Sequence, residues 1–259
     1  MNGTVNKNKS TDLIDEDLLR YNRHILLDEI DISGQILLKQ KHVMLVGLGG
    51  LGSPVAMYLA SSGIGEISII DDDVVELTNL QRQIMYTTDD INQHKVEIAA
   101  KRINEINPNI VVNKIFSRIS DNSDLKLFKN VDLLIDATDN FKTRNLINKF
   151  SLIHGIPLVM GAAQKFQGQV SVFRNDRESQ PCYNCLYNYI KEDTSCVESG
   201  VFSPLTGIIG SIQASEVIKV LLSIGTDLTS RLMNIDIKNN EFKIIAITKD
   251  KKCEACNGN

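Results

Sequence analysis

Along residues 40–163, short apolar runs alternate with longer segments in which apolar residues recur three and four positions apart. The short runs have the length of buried strands, and the longer segments have the period of amphipathic helices. The predicted strands are 42–47, 66–73, 110–116, 131–139 and 156–163, and the predicted helices are 53–62, 92–106, 124–130 and 143–155. This alternation predicts an α/β fold with a doubly wound, mostly parallel, Rossmann-like sheet and right-handed connections.

The two ends of the chain follow other patterns. Residues 13–40 show helical spacing, and Gly34 predicts a break between two helices. The polar stretch 1–16 predicts a disordered tail. Beyond residue 163, an alternating strand at 167–176 and a hairpin at 233–248 around Lys238–Asn240 predict a small C-terminal antiparallel portion. We therefore expect a single domain over 17–259 with two parts, 17–163 and 164–259.

Composition is that of an ordinary soluble globular protein, with 42% hydrophobic and 23% charged residues. The net charge of −4 argues against a nucleic-acid binder, which usually carries a basic face. Glu216 and Lys219 interrupt the most apolar segment, 205–225, so we expect a buried or interface helix there rather than a membrane span. Because the N-terminus lacks the apolar core of a secretory signal, the expected location is cytoplasmic.

A glycine-rich loop joins the first predicted strand to the helix that follows it. Gly47, Gly49 and Gly52 form the pattern G-x-G-x-x-G, which permits a tight turn and a close approach of backbone to a bound group. The helix N-terminus then offers free N–H groups to phosphate. Asp71 follows Gly47 by 24 residues, at a position where a carboxylate can accept hydrogen bonds from ribose. The loop predicts a nucleotide site; a glycine-rich packing turn is the alternative.

Polar residues beyond the strand ends indicate which nucleotide is bound. The carboxyl ends of parallel strands meet at one edge of the sheet, so the side chains that follow them gather there. These residues are Asp73, Asn79, Arg82, Gln83, Lys95 and Asp139. Carboxylate oxygens are ligands for Mg²⁺, while guanidinium and ammonium groups neutralise phosphate charge. The set favours a triphosphate with its metal over a hydride-transfer cofactor, although any one residue could be a solvated loop charge.

Four of the five cysteines form two C-x-x-C pairs, Cys182 with Cys185 and Cys253 with Cys256. Brought together, two such pairs make a closed tetrahedral Zn²⁺ site that would clip the C-terminal tail to the distant 182–185 loop. A redox dithiol and unbound thiols are the alternatives. Cys196 is left over, either as a free cysteine or as a reactive thiol.

Several separate motifs resemble one known family. They are RYNRHILL, VGLGGLGSP, DDDVVELTNLQRQ, HKVEIAAKRINEINP and DATDN, and together they place the resemblance over residues 17–257. The chain resembles the HesA/MoeB/ThiF family, the bacterial relatives of the ubiquitin-activating enzymes, and its MoeB-type members most. The resemblance implies an ATP-dependent adenylyltransferase that activates the C-terminal Gly-Gly carboxylate of a ubiquitin-like sulfur-carrier protein. It makes 17–163 the nucleotide-binding part and 164–259 the carrier-binding and zinc part.

The resemblance also implies roles for individual residues. Asp71 would hold the ribose, and Asp139 would bind Mg²⁺. Arg23 would reach ATP from the other subunit of a homodimer, which makes Arg23, Arg82, Lys95 and Asp139 the implied catalytic set. The remaining residues expected at the ATP site are Gly47, Gly49, Gly50, Gly52, Asp73, Asn79 and Gln83. The four paired cysteines would hold a structural zinc, and the position of Cys196 matches a cysteine that links to the sulfur carrier in ThiF-like relatives.

Several functions stay open at this point. Within the adenylyltransferases, the phrase DEIDISGQ favours molybdopterin synthesis with a MoaD-like carrier over thiamine thiazole synthesis with a ThiS-like carrier. A relative that adenylates an antibiotic peptide is disfavoured because about 16 residues precede the first motif. Because no rhodanese segment is recognisable, we expect the sulfur donor to be a separate protein. An NAD-dependent oxidoreductase would explain the glycines and Asp71 but neither NLQRQ nor the cysteine pairs, and a non-catalytic scaffold is the last alternative.

Overall fold

The computed structural model describes residues 12–187 and 200–257. Its centre is one eight-stranded sheet with the order β3-β2-β1-β4-β5-β6-β7-β8. The strands are β1 His42–Val46, β2 Glu66–Asp71, β3 Val111–Phe116, β4 Leu133–Asp136, β5 Leu158–Gln164, β6 Gln167–Phe173, β7 Arg231–Asp236 and β8 Glu241–Ala246. Strands β1 to β5 pair in parallel, and β5 to β8 pair antiparallel. The predicted fold class is confirmed, and the antiparallel portion extends the same sheet.

Nine α-helices lie in the described part of the chain. They are α1 Asp15–Arg20, α2 Asn22–Ile25, α3 Asp31–Gln40, α4 Gly52–Ser62, α5 Lys95–Ile106, α6 Phe141–His154, α7 Tyr183–Tyr187, α8 Ser203–Leu222 and α9 Glu254–Asn257. Short 3₁₀ helices occur at Leu77–Asn79, Thr88–Asp90 and Leu125–Phe128. The helices predicted between the first five strands are all present, the one at 124–130 as a 3₁₀ helix.

The alternating side chains of β1 divide the interior into two cores. Val43 and Leu45 belong to the core that α4, α5 and α8 cover, while Met44 and Val46 belong to the core on the α6 side. Strands buried on both faces read as continuous apolar runs, which is why His42–Val46 shows no polar alternation. The strand order changes direction between β1 and β4, and this switch point places a crevice at their carboxyl ends.

The N-terminal helices correct one prediction. Gly34 lies inside α3, and the break between helices falls at 26–30. A Cβ at Gly34 would lie 3.3 Å from Ile30 and 3.7 Å from Leu222, so the glycine serves close packing. α1 begins at Asp15, within the stretch predicted as a tail, and residues 1–11 lie outside the described residues.

The long apolar helix α8 packs across β5 and β6. Gly161 and Gly168 leave room for it, since a Cβ at either position would overlap Gln213 or Ile209. By length and composition alone α8 could cross a membrane, but half of its apolar window is buried inside the protein, as in core helices. The β7–β8 hairpin turns at 237–240, as the sequence predicted.

Candidate functional site

A cavity of about 350 Å³ opens at the carboxyl ends of β1, β2 and β4, a volume within the range of small-molecule sites. Most of the predicted site residues line it: Gly47, Gly49, Gly50, Asp71, Asp73, Asn79, Arg82, Gln83, Lys95 and Asp139. Gly52 begins α4 and does not itself line the cavity. Arg23 lies exposed on α2 and does not line the cavity of its own chain.

The glycine loop is shaped by contacts that exclude side chains. Gly47 has a φ of +91°, and a Cβ there would come within 2.8 Å of the Ala137 carbonyl oxygen. A Cβ at Gly52 would overlap the Gly47 carbonyl. Glycine is the residue that tolerates both conditions. The loop therefore brings the backbone between β1 and α4 against the end of β4, and its residues Gly49, Gly50 and Leu51 line the crevice just before α4 begins.

Asp71 ends β2 and is tied to this loop. Its Oδ2 accepts a hydrogen bond from the Leu48 N–H at 2.7 Å, and its Oδ1 accepts one from the Asp73 N–H at 2.8 Å. Burial raises the pKa of the Asp71 carboxyl, while the nearby Lys95 charge and the two N–H donors oppose that rise. The carboxylate is thus fixed in position at the cavity wall, with an acceptor oxygen suited to a ribose hydroxyl.

Lys95 begins α5 and is buried, with its ammonium Nζ 2.9 Å from Asp73 Oδ2. The Lys95 N–H also donates to the Asp73 carbonyl at 3.0 Å. A buried ammonium needs a compensating partner, and Asp73 is the partner within the chain. A bound phosphate could share or replace that carboxylate, since Lys95 lines the cavity.

The segment between β2 and α5 contributes an arginine and two amides. Arg82 donates from Nη1 to the Thr78 carbonyl at 3.2 Å and lines the cavity. Asn79 Oδ1 accepts from the Glu76 N–H at 3.2 Å, which holds the 3₁₀ turn. Gln83 is buried, and its Oε1 has no hydrogen-bond partner among the described residues. An unpaired buried acceptor of this kind is available to a donor on a ligand.

The three consecutive carboxylates at the end of β2 lie close together. One oxygen from each of Asp71, Asp72 and Asp73 falls within 4.8 Å of the others. Lys95 pairs with Asp73 at 2.9 Å and Arg118 with Asp72 at 3.0 Å. Because two of the three carboxylates already have cationic partners, this group has less need of a metal ion than its composition suggests.

Asp139 lies at the opposite wall, where β4 leads into α6. It is exposed, and the next residue, Asn140, caps α6 by accepting from the Thr143 N–H at 2.9 Å. Just below, the fully buried Asp136 accepts from the Thr138 N–H and hydroxyl at 2.9 and 2.7 Å. This wall thus offers an exposed carboxylate on a firmly held turn.

Sequence reasoning missed some of the cavity lining. Arg118 follows β3 at the same sheet edge, so the strand-end argument that found Asp139 could have found it. Arg144 and Thr206 also line the cavity. They come from inside α6 and α8, where the sequence pattern marks them only as helical positions.

A second cluster joins the four paired cysteines. The sulfur atoms lie 3.9 Å apart for Cys182–Cys185, 3.7 Å for Cys182–Cys253 and 3.6 Å for Cys185–Cys256. A tetrahedral zinc with four sulfurs at about 2.3 Å sets S–S separations of about 3.8 Å. The thiols therefore fit Zn²⁺, and the structure confirms that the 182–185 loop and the C-terminal segment come together at these cysteines. Cys196 lies outside the described residues.

The chain is similar in sequence and in fold to known proteins. The ThiF family model matches residues 21–255. The chain is 39% identical to the molybdopterin-synthase adenylyltransferase of Salmonella typhimurium, over 95% of this chain and 98% of that protein. It is 38% identical to the sulfur carrier protein ThiS adenylyltransferase of Escherichia coli, over 94% and 97%. The crystal structure of E. coli MccB with ATP superimposes with a TM-score of 0.80 at 26% identity, over 92% of this chain and 74% of that one.

The family match includes the part of the chain that forms the cavity. The matched span contains every residue that lines the cavity and three of the four clustered cysteines, and Cys256 lies one residue beyond it. The relatives named above are adenylyltransferases, which are nucleotidyltransferase enzymes. The chain belongs to the ThiF family and is a nucleotidyltransferase.

Proposed function

We propose that this protein adenylates the C-terminal Gly-Gly carboxylate of a ubiquitin-like sulfur-carrier protein, with ATP as the donor. One observation carries the proposal: a single cavity combines the glycine loop and Asp71 with Arg82, Lys95 and Asp139. The glycine loop suits the phosphate chain, and Asp71 suits the ribose. Arg82, Lys95 and the exposed carboxylate of Asp139 suit a triphosphate with its metal. A dinucleotide site for hydride transfer has less need of that charge set.

In the proposed reaction, the glycine carboxylate attacks the α-phosphorus of ATP, and pyrophosphate leaves with the electron pair of the broken P–O bond. The enzyme needs no nucleophile for this exchange. Its residues supply positioning and charge neutralisation, which are the main contributions in phosphoryl chemistry. Asn79, Arg82 and Lys95 are the residues we assign to the phosphates.

Asp139 is the residue we assign to Mg²⁺, because it is an exposed carboxylate oxygen donor at the cavity wall. The ion, when bound, would supply positive charge beside the phosphates. Lys95 already has Asp73 as its counter-ion, so the chain's own residues keep the ammonium in place before ATP binds.

The pathway follows from the carrier, and here we favour molybdopterin synthesis. The phrase DEIDISGQ and the 39% identity to a molybdopterin-synthase adenylyltransferase support this choice. A ThiS-like carrier is the second candidate, because the identity to a ThiS adenylyltransferase is 38%. We expect the sulfur donor to be a separate protein and the enzyme to work in the cytoplasm, where four thiols stay reduced for a metal.

ATP–pyrophosphate exchange with purified carriers tests the proposal. We expect exchange with a carrier that ends in Gly-Gly, and faster exchange with a MoaD-like carrier than with a ThiS-like one. Faster exchange with the ThiS-like carrier would reassign the pathway, and absence of exchange with every carrier would contradict the adenylyltransferase assignment.

We further propose a homodimer in which Arg23 completes the partner's site. Leu26 and Ile32 lie close to Arg23 in the chain, and Tyr58 lines a surface pocket together with His24. All three apolar side chains are more than half exposed, and neighbouring exposed apolar side chains favour an interface. Mixing Arg23→Ala with Asp139→Ala protein tests it. If subunits exchange, mixed dimers contain one intact site and regain exchange activity; no recovery in a mixed dimer verified by mass would contradict the shared site.

A further inference from the structure

The turn that carries Asp139 is held from both sides by buried charges. Asp136 Oδ1 accepts from the Thr138 N–H and hydroxyl, and Arg144 Nη2 donates to the Thr138 carbonyl at 2.7 Å. We call these three residues the Thr138 clamp. Since every polar group of Thr138 is bonded within the clamp, the peptide leading into Asp139 has one favoured orientation.

The two charged members of the clamp are deeply buried. Asp136 is 0% exposed and Arg144 is 6% exposed. Burial raises the pKa of the Asp136 carboxyl, and the Arg144 charge opposes that rise. Each also keeps one atom, Asp136 Oδ2 and Arg144 Nε, without a hydrogen-bond partner among the described residues. A cation with a free N–H in such surroundings is sensitive to any polar group packed against it.

Tyr183 is that polar group. It is fully buried, its hydroxyl has no hydrogen-bond partner among the described residues, and it is near enough to Arg144 for the two groups to interact electrostatically. Burial raises the pKa of the Tyr183 phenol, and the positive charge of Arg144 partly offsets this. The phenol oxygen of Tyr183 therefore lies within the electrostatic field of the Arg144 cation.

The chain position of Tyr183 connects this contact to the cysteine cluster. Tyr183 lies between Cys182 and Cys185, and the Tyr183 N–H donates to Asn148 Oδ1 at 3.2 Å. Asn148 is four residues after Arg144 on α6, so both contacts lie on the same helix face. We call residues 182–185 the cysteine knuckle; its sulfur atoms hold it to the C-terminal segment.

We propose that the cysteine knuckle positions Arg144 through Tyr183 and thereby fixes the Thr138–Asp139 peptide at the nucleotide cavity. Tyr183 is a positioning residue, because it does not line the cavity and acts through Arg144. The functional consequence rests on the proposed role of Asp139 in binding Mg²⁺: a loosened clamp should weaken nucleotide binding only when Mg²⁺ is present. The structural consequence, a more mobile Thr138 N–H, is independent of that role.

The test compares Tyr183→Phe with Asn184→Ala. Asn184 belongs to the same knuckle and contacts α6 through Asn145 and Asn148, but not Arg144. Hydrogen exchange of the segment containing Thr138 is measured by mass spectrometry on the full chain with its cysteine-bound metal intact. We expect Tyr183→Phe to speed exchange there by about three- to tenfold, the scale for one modest polar interaction, with unchanged metal content. Asn184→Ala should leave that segment at the wild-type rate.

A second readout is the affinity for a non-hydrolysable ATP analogue with and without Mg²⁺. Tyr183→Phe should reduce the Mg²⁺-dependent gain in affinity about three- to tenfold and leave Mg²⁺-free binding unchanged. Wild-type exchange at Thr138 in Tyr183→Phe would overturn the inference, and so would equal acceleration in both variants. Faster exchange combined with no Mg²⁺ effect in any protein, wild type included, would support the clamp and contradict the assignment of Mg²⁺ to Asp139.

Discussion

The nucleotide cavity and the cysteine cluster are built on opposite principles. In the cavity, the ionic groups already have partners within the chain, such as Asp73 for Lys95 and backbone N–H groups for Asp71. In the cluster, four sulfur atoms face mainly one another across two segments that are 71 residues apart in sequence. The cavity can therefore keep its shape without a ligand, whereas the four clustered thiols must give up protons to hold a cation, which would then join the two segments.

This difference separates function from stability in the two regions. Losing a functional side chain of the cavity should remove activity and leave the fold intact. The strands that end at the cavity, β1, β2 and β4, each pair with a neighbouring strand on both sides. Losing a cysteine should release the C-terminal segment, because the metal would be the main bond that joins it to the 182–185 loop. Variants in the two regions should therefore give opposite patterns of activity and thermal stability.

The largest expected effect is on activity. Asp139→Ala should lower pyrophosphate exchange by about a hundredfold or more, as removal of one transition-state charge partner does elsewhere. Because Asp139 is exposed and its turn is held by Asp136 and Arg144, the thermal midpoint and zinc content should stay at wild-type values. Exchange assays and calorimetry on the same sample check this, and wild-type exchange rates would remove Asp139 from the site.

The next largest effect is on stability. Cys253→Ser or removal of the metal by a chelator should lower the free energy of unfolding by several kcal/mol, since metal binding is coupled to folding. Because Cys253 is fully buried, water cannot easily reach the site to take the place of the lost sulfur ligand. Metal analysis and thermal denaturation test this. A reduced wild-type protein without zinc, or a variant of unchanged stability, would contradict the account of the cluster.

A substitution in the glycine loop should affect both the stability of the fold and nucleotide binding. Gly47→Ala should destabilise the protein by about 1–3 kcal/mol, because alanine is strained at a φ of +91° and its Cβ meets the Ala137 carbonyl. Nucleotide affinity should fall as well. Gly155→Ala is a matched control, since Gly155 also has positive φ but has open space around its Cβ position. Equal losses in both variants would exclude a specific role for the Gly47 contact.

The smallest effect is a shift in pH dependence. Burial raises the pKa of Asp71, so the negative charge that we propose for ribose binding should be lost as pH falls through a pKa above the usual value. Lys95 opposes that rise, and Lys95→Met should move the loss of nucleotide binding to higher pH. Burial also gives Asp71 an unfavourable contribution to folding above its unfolded pKa, which diminishes on acidification. Titration of nucleotide binding against pH in both proteins checks the direction; a shift to lower pH would contradict it.

The positions of the cavity and of the cysteine cluster were both predictable from the sequence. Apolar runs ending in Asp71 and before Asp139 located the strand ends, and parallel strands place their ends at one edge. Two C-x-x-C pairs identified the cluster because zinc uses that spacing. The break assigned to Gly34 was wrong, since glycine at close helix contacts looks the same in sequence as glycine in a turn.

Arg144 and Tyr183 show what sequence reasoning could not reach. Arg144 lies in a helix among polar residues, where an arginine usually faces solvent, yet it is buried and donates a hydrogen bond to the Thr138 carbonyl. Tyr183 lies between Cys182 and Cys185 in the chain, and its sequence context does not indicate a partner on α6. Their roles depend on how α6 packs against the knuckle, which is tertiary information. The shared use of Arg23 and the role of Cys196 stay predictions.

The most direct measurement of the central claim follows the adenylyl group itself. The enzyme is incubated with ATP labelled at the α-phosphate and with a sulfur carrier, in one sample ending in Gly-Gly and in the other lacking the final glycine. The account predicts labelled acyl-adenylate on the complete carrier alone, with loss of labelling in Asp139→Ala. Labelling of neither carrier, or equal labelling of both, would contradict the claim that this cavity activates a C-terminal Gly-Gly carboxylate.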